Sequence, residues 1–211
     1  TKKKLNEKKK DTIGFVGAPW TLLLYMLNRK SPKDGNFNVF SKNRDVVNIL
    51  NILDKFLKIH IEAQIESGAS IIQIFDSWAG LVPEKDLDYY VYKPTKSLVD
   101  FIKNKKVVSI CFPRNIGNYK KFVENVNPDI INIDYNVDPS IIRDTIDIPV
   151  QGGFDPQILL QNKDIVRDEV TKYLKTFDQK RYIFNLGHGV LPETNPDMVK
   201  YLVEIVRSFN G

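Results

Sequence analysis

VVSICFPRNIGNYKKFVENVNPDIINID, residues 107–134, decides the fold. Two apolar runs, 107–112 and 129–134, are rich in Val, Ile and Phe, and residues 117–125 between them carry a helical pattern. The runs mostly lack alternation, which predicts strands buried on both faces. Strand, helix and strand of this kind make a parallel unit.

The same alternation extends in both directions. Further strand-like runs are IGFV at 13–16, IIQIF at 71–75, PVQGGF at 149–154 and YIFNL at 182–186. A helix starts near Pro19. A longer one is expected from Ser41 to Ser67, with Val46, Leu50, Leu53, Leu57 and Ile61 at spacings of three and four and Gly68 as its stop. Shorter helices are expected near 95–104, 139–145 and 164–177. A final helix begins Asn195-Pro196-Asp197: a capping side chain, a proline at the first helical position, then an acid facing the helix dipole. The pattern predicts a single α/β domain over 1–211, either an open doubly wound sheet or a (β/α)8 barrel. A whole barrel takes about 250 residues, so six strand–helix units amount to roughly three-quarters of one, with the first strands expected upstream.

Composition narrows the function classes. The chain has 211 residues and a formal charge of +5, but residues 1–10 hold six lysines against Glu7, and the remainder is neutral. That segment reads as a solvated surface stretch and gives nucleic acid little to bind. No apolar run approaches the ~20 residues of a membrane span, and the lysine-rich start lacks the apolar part of a signal peptide. One cysteine, Cys111, permits no internal disulfide and suits a reducing cytoplasm. Dinucleotide, phosphate-loop, serine-hydrolase and zinc-protease signatures are absent from the sequence.

Active sites of parallel α/β folds gather at the carboxyl ends of the strands. There the sequence places GAPWT after the first run, DSWAG after the second, PRN after the third, DYN after the fourth and GHG after the sixth. Each residue also has an ordinary structural reading. Tyr25 and Phe75 fit a core, Asp76 or Ser77 a helix cap, Arg114 a surface cation, and Asp134 a group that satisfies loop amides. His60 sits inside the long amphipathic helix and reads as structural. His188 fits the structural reading least, because Gly187 and Gly189 leave it little to pack against and free the backbone to approach a ligand. An imidazole there can bind an anion or move a proton. A metal is disfavoured, since no second His or Cys stands at ligand spacing.

GFVGAPWTLLLYML (14–27), QIFDSWAG (73–80) and NLGHGVLPETNP (185–196), in this order and spacing, resemble the uroporphyrinogen decarboxylase family. QGGFDP at 151–156 also matches, with Gly153-Phe154 where many relatives have Asn-Leu. The resemblance runs over essentially the whole chain. It implies a cofactor-free, metal-free (β/α)8 barrel enzyme of haem biosynthesis, a homodimer when full length. Such a carboxy-lyase removes the four acetate carboxyls of uroporphyrinogen III to give coproporphyrinogen III. Tyr25 resembles the family's tyrosine on the substrate's side-chain carboxylates, Phe75 an aromatic lining the macrocycle's cleft, and Ser77 a substrate-binding hydroxyl. His188 resembles the histidine near the departing carboxylate, and Arg114 offers at most a carboxylate contact. Tyr25, Ser77 and His188 are expected to converge on one cleft.

The sequence also departs from the family. Its arginine-bearing segment and its aspartate facing the pyrrole N–H groups have no counterpart before Ile13. This chain alone is therefore expected to show little or no activity, and the two strand edges of an unclosed barrel invite aggregation. Two rival readings share the barrel. A cobamide-dependent methyltransferase needs a zinc-bound thiolate, and Cys111 has no partner cysteine for such a site. A barrel that binds a tetrapyrrole without turnover is the non-enzymatic alternative.

Overall fold

The computed structural model describes residues 5, 7, 10–28, 44–177 and 181–209. Residues 1–4, 6, 8, 9 and 41–43, which hold most of the lysine-rich segment and the expected start of the long helix, lie outside them. Two compact units divide the chain at Asp129 and Ile130.

In the first unit three parallel strands run in chain order: β1 (Ile13–Gly17), β2 (Ile71–Asp76) and β3 (Val108–Pro113). The register pairs Gly17 with Phe75 and Phe75 with Phe112, so all three strands end at the same level. Helix α1 (Pro19–Asn28) follows β1 after a single residue and opens on proline, whose missing N–H costs a helix nothing at that position. It buries Trp20, Leu23 and Leu24 and turns Tyr25, Met26 and Leu27 outward. Helix α2 (Arg44–Glu66) buries Val46, Leu50, Leu57 and Ile61, the stripe the spacing predicts, with Leu53 half-buried. Gly68, at φ 102°, ends it in the left-handed region. His60 sits on its exposed side.

Burial on both faces holds for β2 and β3 except near their ends, but β1 alternates. Gly14 and Val16 are buried, whereas Ile13 and Phe15 are exposed. At its edge, the Gln64 side chain of α2 takes the place of a neighbouring strand, accepting from Phe15 N at 2.9 Å and donating to Phe15 O at 3.1 Å. Between β2 and helix α3 (Lys93–Asn104), two 3-10 turns lead into a π-helical turn, Asp88–Tyr92, that the sequence does not announce. Helix α4 (Tyr119–Val126) completes the unit; the Asn118 side chain caps it by accepting from Lys121 N.

The second unit repeats the plan with β4 (Ile130–Ile133), β5 (Val150–Gly152) and β6 (Tyr182–Ile183), all parallel. Helix α5 (Pro139–Thr145) has the bounds expected, α6 spans Lys163–Thr176, and α7 spans Pro196–Ser208. Asn195 caps α7 by accepting from Asp197 N at 2.9 Å, as its sequence predicts. β5 is shorter than the run 149–154 because Gly152 and Gly153 both take positive φ, 83° and 92°, which bends the chain out of the sheet. β6 keeps only two paired residues, and Leu186 returns to the sheet through an isolated bridge to Phe154. The core of this unit is Phe154, Leu159, Val166, Val170, Leu174 and Leu202. Each such side chain contributes about 1.5–3 kcal/mol when fully buried.

Candidate active site

The first unit gathers a hydrogen-bonded network at the carboxyl ends of β1 and β2. The Asp76 carboxylate, 2% exposed, accepts the Thr21 hydroxyl at 2.7 Å. Thr21 Oγ1 in turn accepts the Trp78 backbone N–H at 3.3 Å, and the Trp20 indole donates to Trp78 O at 2.9 Å. The backbone closes the same gap, with Ala18 N donating to Phe75 O at 2.8 Å and Arg114 N to Asp76 O at 3.0 Å. Asp76 therefore caps no helix. The 3-10 turn after β2 begins at Trp78 without a side-chain cap, because the carboxylate is already committed to α1.

Burial pushes the Asp76 carboxyl up to about 7, against the pull of the Thr21 hydroxyl and the Trp78 amide. Its Oδ2 is buried without a hydrogen-bond partner, and so is Arg114 Nε one strand over. Phe75 is half-buried in an edge-to-face row, 6.0 Å from Phe15 and 6.0 Å from Phe112. Ser77 is half-buried in the turn after β2, and Tyr25 is 39% exposed on α1.

In the second unit Asp134 ends β4 buried and accepts from Asn136 N at 2.8 Å, the loop-amide role its position suggests. Gly152 O accepts the Tyr182 hydroxyl at 2.7 Å, which ties the ends of β5 and β6. His188 is exposed on the turn after β6. Its two glycines differ in kind. A Cβ at Gly187 would lie 2.8 Å from the carbonyl carbon of Asp134 and 3.0 Å from Tyr135 Cα, whereas one at Gly189 would meet nothing within 4 Å. Gly187 lets the turn press against the end of β4, and Gly189 leaves space beside the imidazole. Gly187→Ala is expected to cost about 1–3 kcal/mol, since backbone atoms cannot step aside. Gly189→Ala should cost much less, and urea unfolding of both variants checks the contrast.

Of the residues singled out in the sequence, Tyr25, Phe75, Ser77 and Arg114 belong to the first unit and His188 to the second. Phe75, Ser77 and Arg114 share the joined ends of β2 and β3, and Tyr25 rides on the helix fastened there through Thr21. Sequence reasoning passed over Thr21 and Trp78; the only signal was a hydroxyl and an indole within strand-end motifs. Among the described residues no group of three or more His, Cys, Asp or Glu is arranged to hold a metal, and no helix is long and apolar enough to cross a membrane.

Comparison with known proteins names the lineage. Residues 1–209 match the family described as Uroporphyrinogen decarboxylase (URO-D). The chain belongs to the uroporphyrinogen decarboxylase family. Among its relatives, the uroporphyrinogen decarboxylase of Rickettsia bellii (strain RML369-C) is 42% identical over 210 residues, covering 93% of this chain and 60% of that protein. That of Orientia tsutsugamushi (strain Boryong) is 40% identical over 218 residues, covering 100% of this chain and 64% of that protein. The chain thus spans 60–64% of the length of these decarboxylases. Among solved structures, a B12-independent methionine synthase from Shewanella sp. W3-18-1 aligns with TM-score 0.59 at 18% identity, covering 96% of this chain and 64% of that one. A dihydropteroate synthase from Anaplasma phagocytophilum aligns with TM-score 0.56 at 14% identity, covering 92% of this chain and 72% of that one. At such identities the likeness bears on the fold alone, the barrel-type α/β class that the strand–helix alternation predicts.

Proposed function

We propose that this chain carries the greater part of the active site of a uroporphyrinogen decarboxylase, which converts uroporphyrinogen III to coproporphyrinogen III without a cofactor. The observation behind this reading is the family match over residues 1–209, with relatives of that name up to 42% identical. The chemistry is self-sufficient. Protonation of a pyrrole turns the ring into an electron sink, the acetate carboxylate leaves as carbon dioxide, and its bonding pair neutralises the ring cation. Protonation of the remaining methylene carbon, with loss of the proton first added to the ring, then leaves a methyl group on a neutral pyrrole. The protein must orient an anionic, flat substrate and exclude water.

In this reading Tyr25 and Ser77 donate hydrogen bonds to substrate carboxylates, and Phe75 forms an apolar wall for the macrocycle. His188, beside the open space at Gly189, binds the carboxylate to be lost. Arg114 adds at most one further carboxylate contact. Homodimerisation and a cytoplasmic setting belong to the same proposal.

The test is formation of coproporphyrinogen from uroporphyrinogen III, measured for the 211-residue chain and for a version lengthened at its amino end to the length of those relatives. Product is expected from the longer version and little from the shorter, because the 211 residues span only 60–64% of the length of the decarboxylases they match. Equal rates would refute that division of labour, and no product from either sinks the assignment. In the active version His188→Ala is expected to lower kcat/KM roughly tenfold to a hundredfold, the worth of one hydrogen bond to a charged group.

A further inference from the structure

We propose that Asp76 is a positioning residue for this site: through the Thr21 hydroxyl, its carboxyl ties the first turn of the helix carrying Tyr25 to the turn carrying Ser77. The proposal rests on the reading that Tyr25 and Ser77 hold substrate. Thr21 and Asp76 are 55 residues apart in sequence, and only the fold joins them. Thr21 and Asp76 are 3% and 2% exposed, so water does not compete for their bond. Thr21 accepts from the residue directly after Ser77 while donating to the residue directly before it. The hydroxyl therefore brackets Ser77 with both of its hydrogen-bonding functions. Tyr25 stands one helical turn beyond Thr21, so a displacement at Thr21 is carried to it along a rigid helix.

A carboxyl is a costly filler for such a place. Its second oxygen is buried and unpartnered, and burial alone disfavours its ionised form. An apolar side chain would fill the space without that cost but would leave the Thr21 hydroxyl with no acceptor. The groups facing the Asp76 carboxyl are the Thr21 hydroxyl on α1, the Trp78 backbone amide in the turn after β2, and Cys111 on β3. Burial first and the Asp76 charge second push the Cys111 thiol well above its ordinary value, so it stays neutral wherever Asp76 titrates.

The protein supplies its own reporter, because its two tryptophans, Trp20 and Trp78, both belong to this network. Tryptophan emission of the wild-type chain is expected to titrate with a midpoint near the carboxyl's value of about 7. Asp76→Asn, which keeps an acceptor for Thr21, should abolish the titration and leave amide hydrogen exchange in residues 20–28 near wild type. Asp76→Ala and Thr21→Val should raise that exchange about tenfold, the worth of the lost bond, while Thr21→Ser should restore it. In the active version the two disrupting variants should raise KM about tenfold with kcat within about twofold, as loss of uniform substrate binding does. Emission that stays flat between about pH 5 and 9, or exchange unchanged in Thr21→Val, overturns the proposal. Absence of product from every version counts against the decarboxylase reading instead, and leaves the emission and exchange outcomes decisive for Asp76.

Discussion

Asp76→Asn is expected to make the protein more stable than wild type at pH 8 and close to wild type near the unfolded carboxyl's value of 3.8. The folded carboxyl titrates at about 7 and the unfolded one at 3.8. Between those values the folded state binds more protons than the unfolded state, so wild-type stability falls as pH rises through the window and levels off above it. Three pH units correspond to roughly 4 kcal/mol at most. Asparagine keeps the shape and the acceptor for Thr21 but has no charge to bury. Urea unfolding followed by tryptophan emission, which reports the first unit, should show the two proteins separating from about pH 4 upward and running parallel above about pH 7, with unchanged m-values. A wild-type protein that parallels Asp76→Asn across the range would mean that the carboxylate is solvated in the folded state.

Trp20→Ala is expected to cost about 3–5 kcal/mol, the range for emptying a buried aromatic site. Trp20 is fully buried at the start of α1 and packs on Tyr90 with ring centroids 5.1 Å apart. Its indole N–H is also the donor to Trp78 O, so truncation leaves a cavity and orphans a carbonyl together. Trp20→Phe should cost less, because most of the ring contact survives. Trp78 remains as the fluorescent reporter in both variants, and the shift of the urea midpoint measures the loss. A change below about 1 kcal/mol would show that α1 is not anchored by this side chain.

Much of the architecture is legible in the letters, and particular residues show why. Asn195-Pro196-Asp197 states a helix start in three residues, and Asn195 caps α7 as read. Gly68 ends α2 where the apolar stripe stops. Such signals are local: each acts on backbone within a turn of itself. The misreadings also have a shared cause. Asp76 looks like a cap because a carboxylate just past a strand often is one, yet its partner lies on another element. PVQGGF looks like a six-residue strand, but two consecutive glycines at positive φ stop pairing at Gly152.

The candidate site divides in the same way. GAPWT, FDSWAG and NLGHG carry family membership in their order along the chain, and no coordinates are needed to see it. Alternating apolar runs and amphipathic stretches likewise determine the strand–helix series, since burial and backbone hydrogen bonding follow directly from periodicity. Only the tertiary structure decided that Thr21 answers Asp76, that Gln64 covers the edge of β1, and that Gly187 presses on Asp134. Each of these contacts joins residues tens of positions apart. Their strength depends on distance and on exclusion from water, and neither exists until the chain has folded.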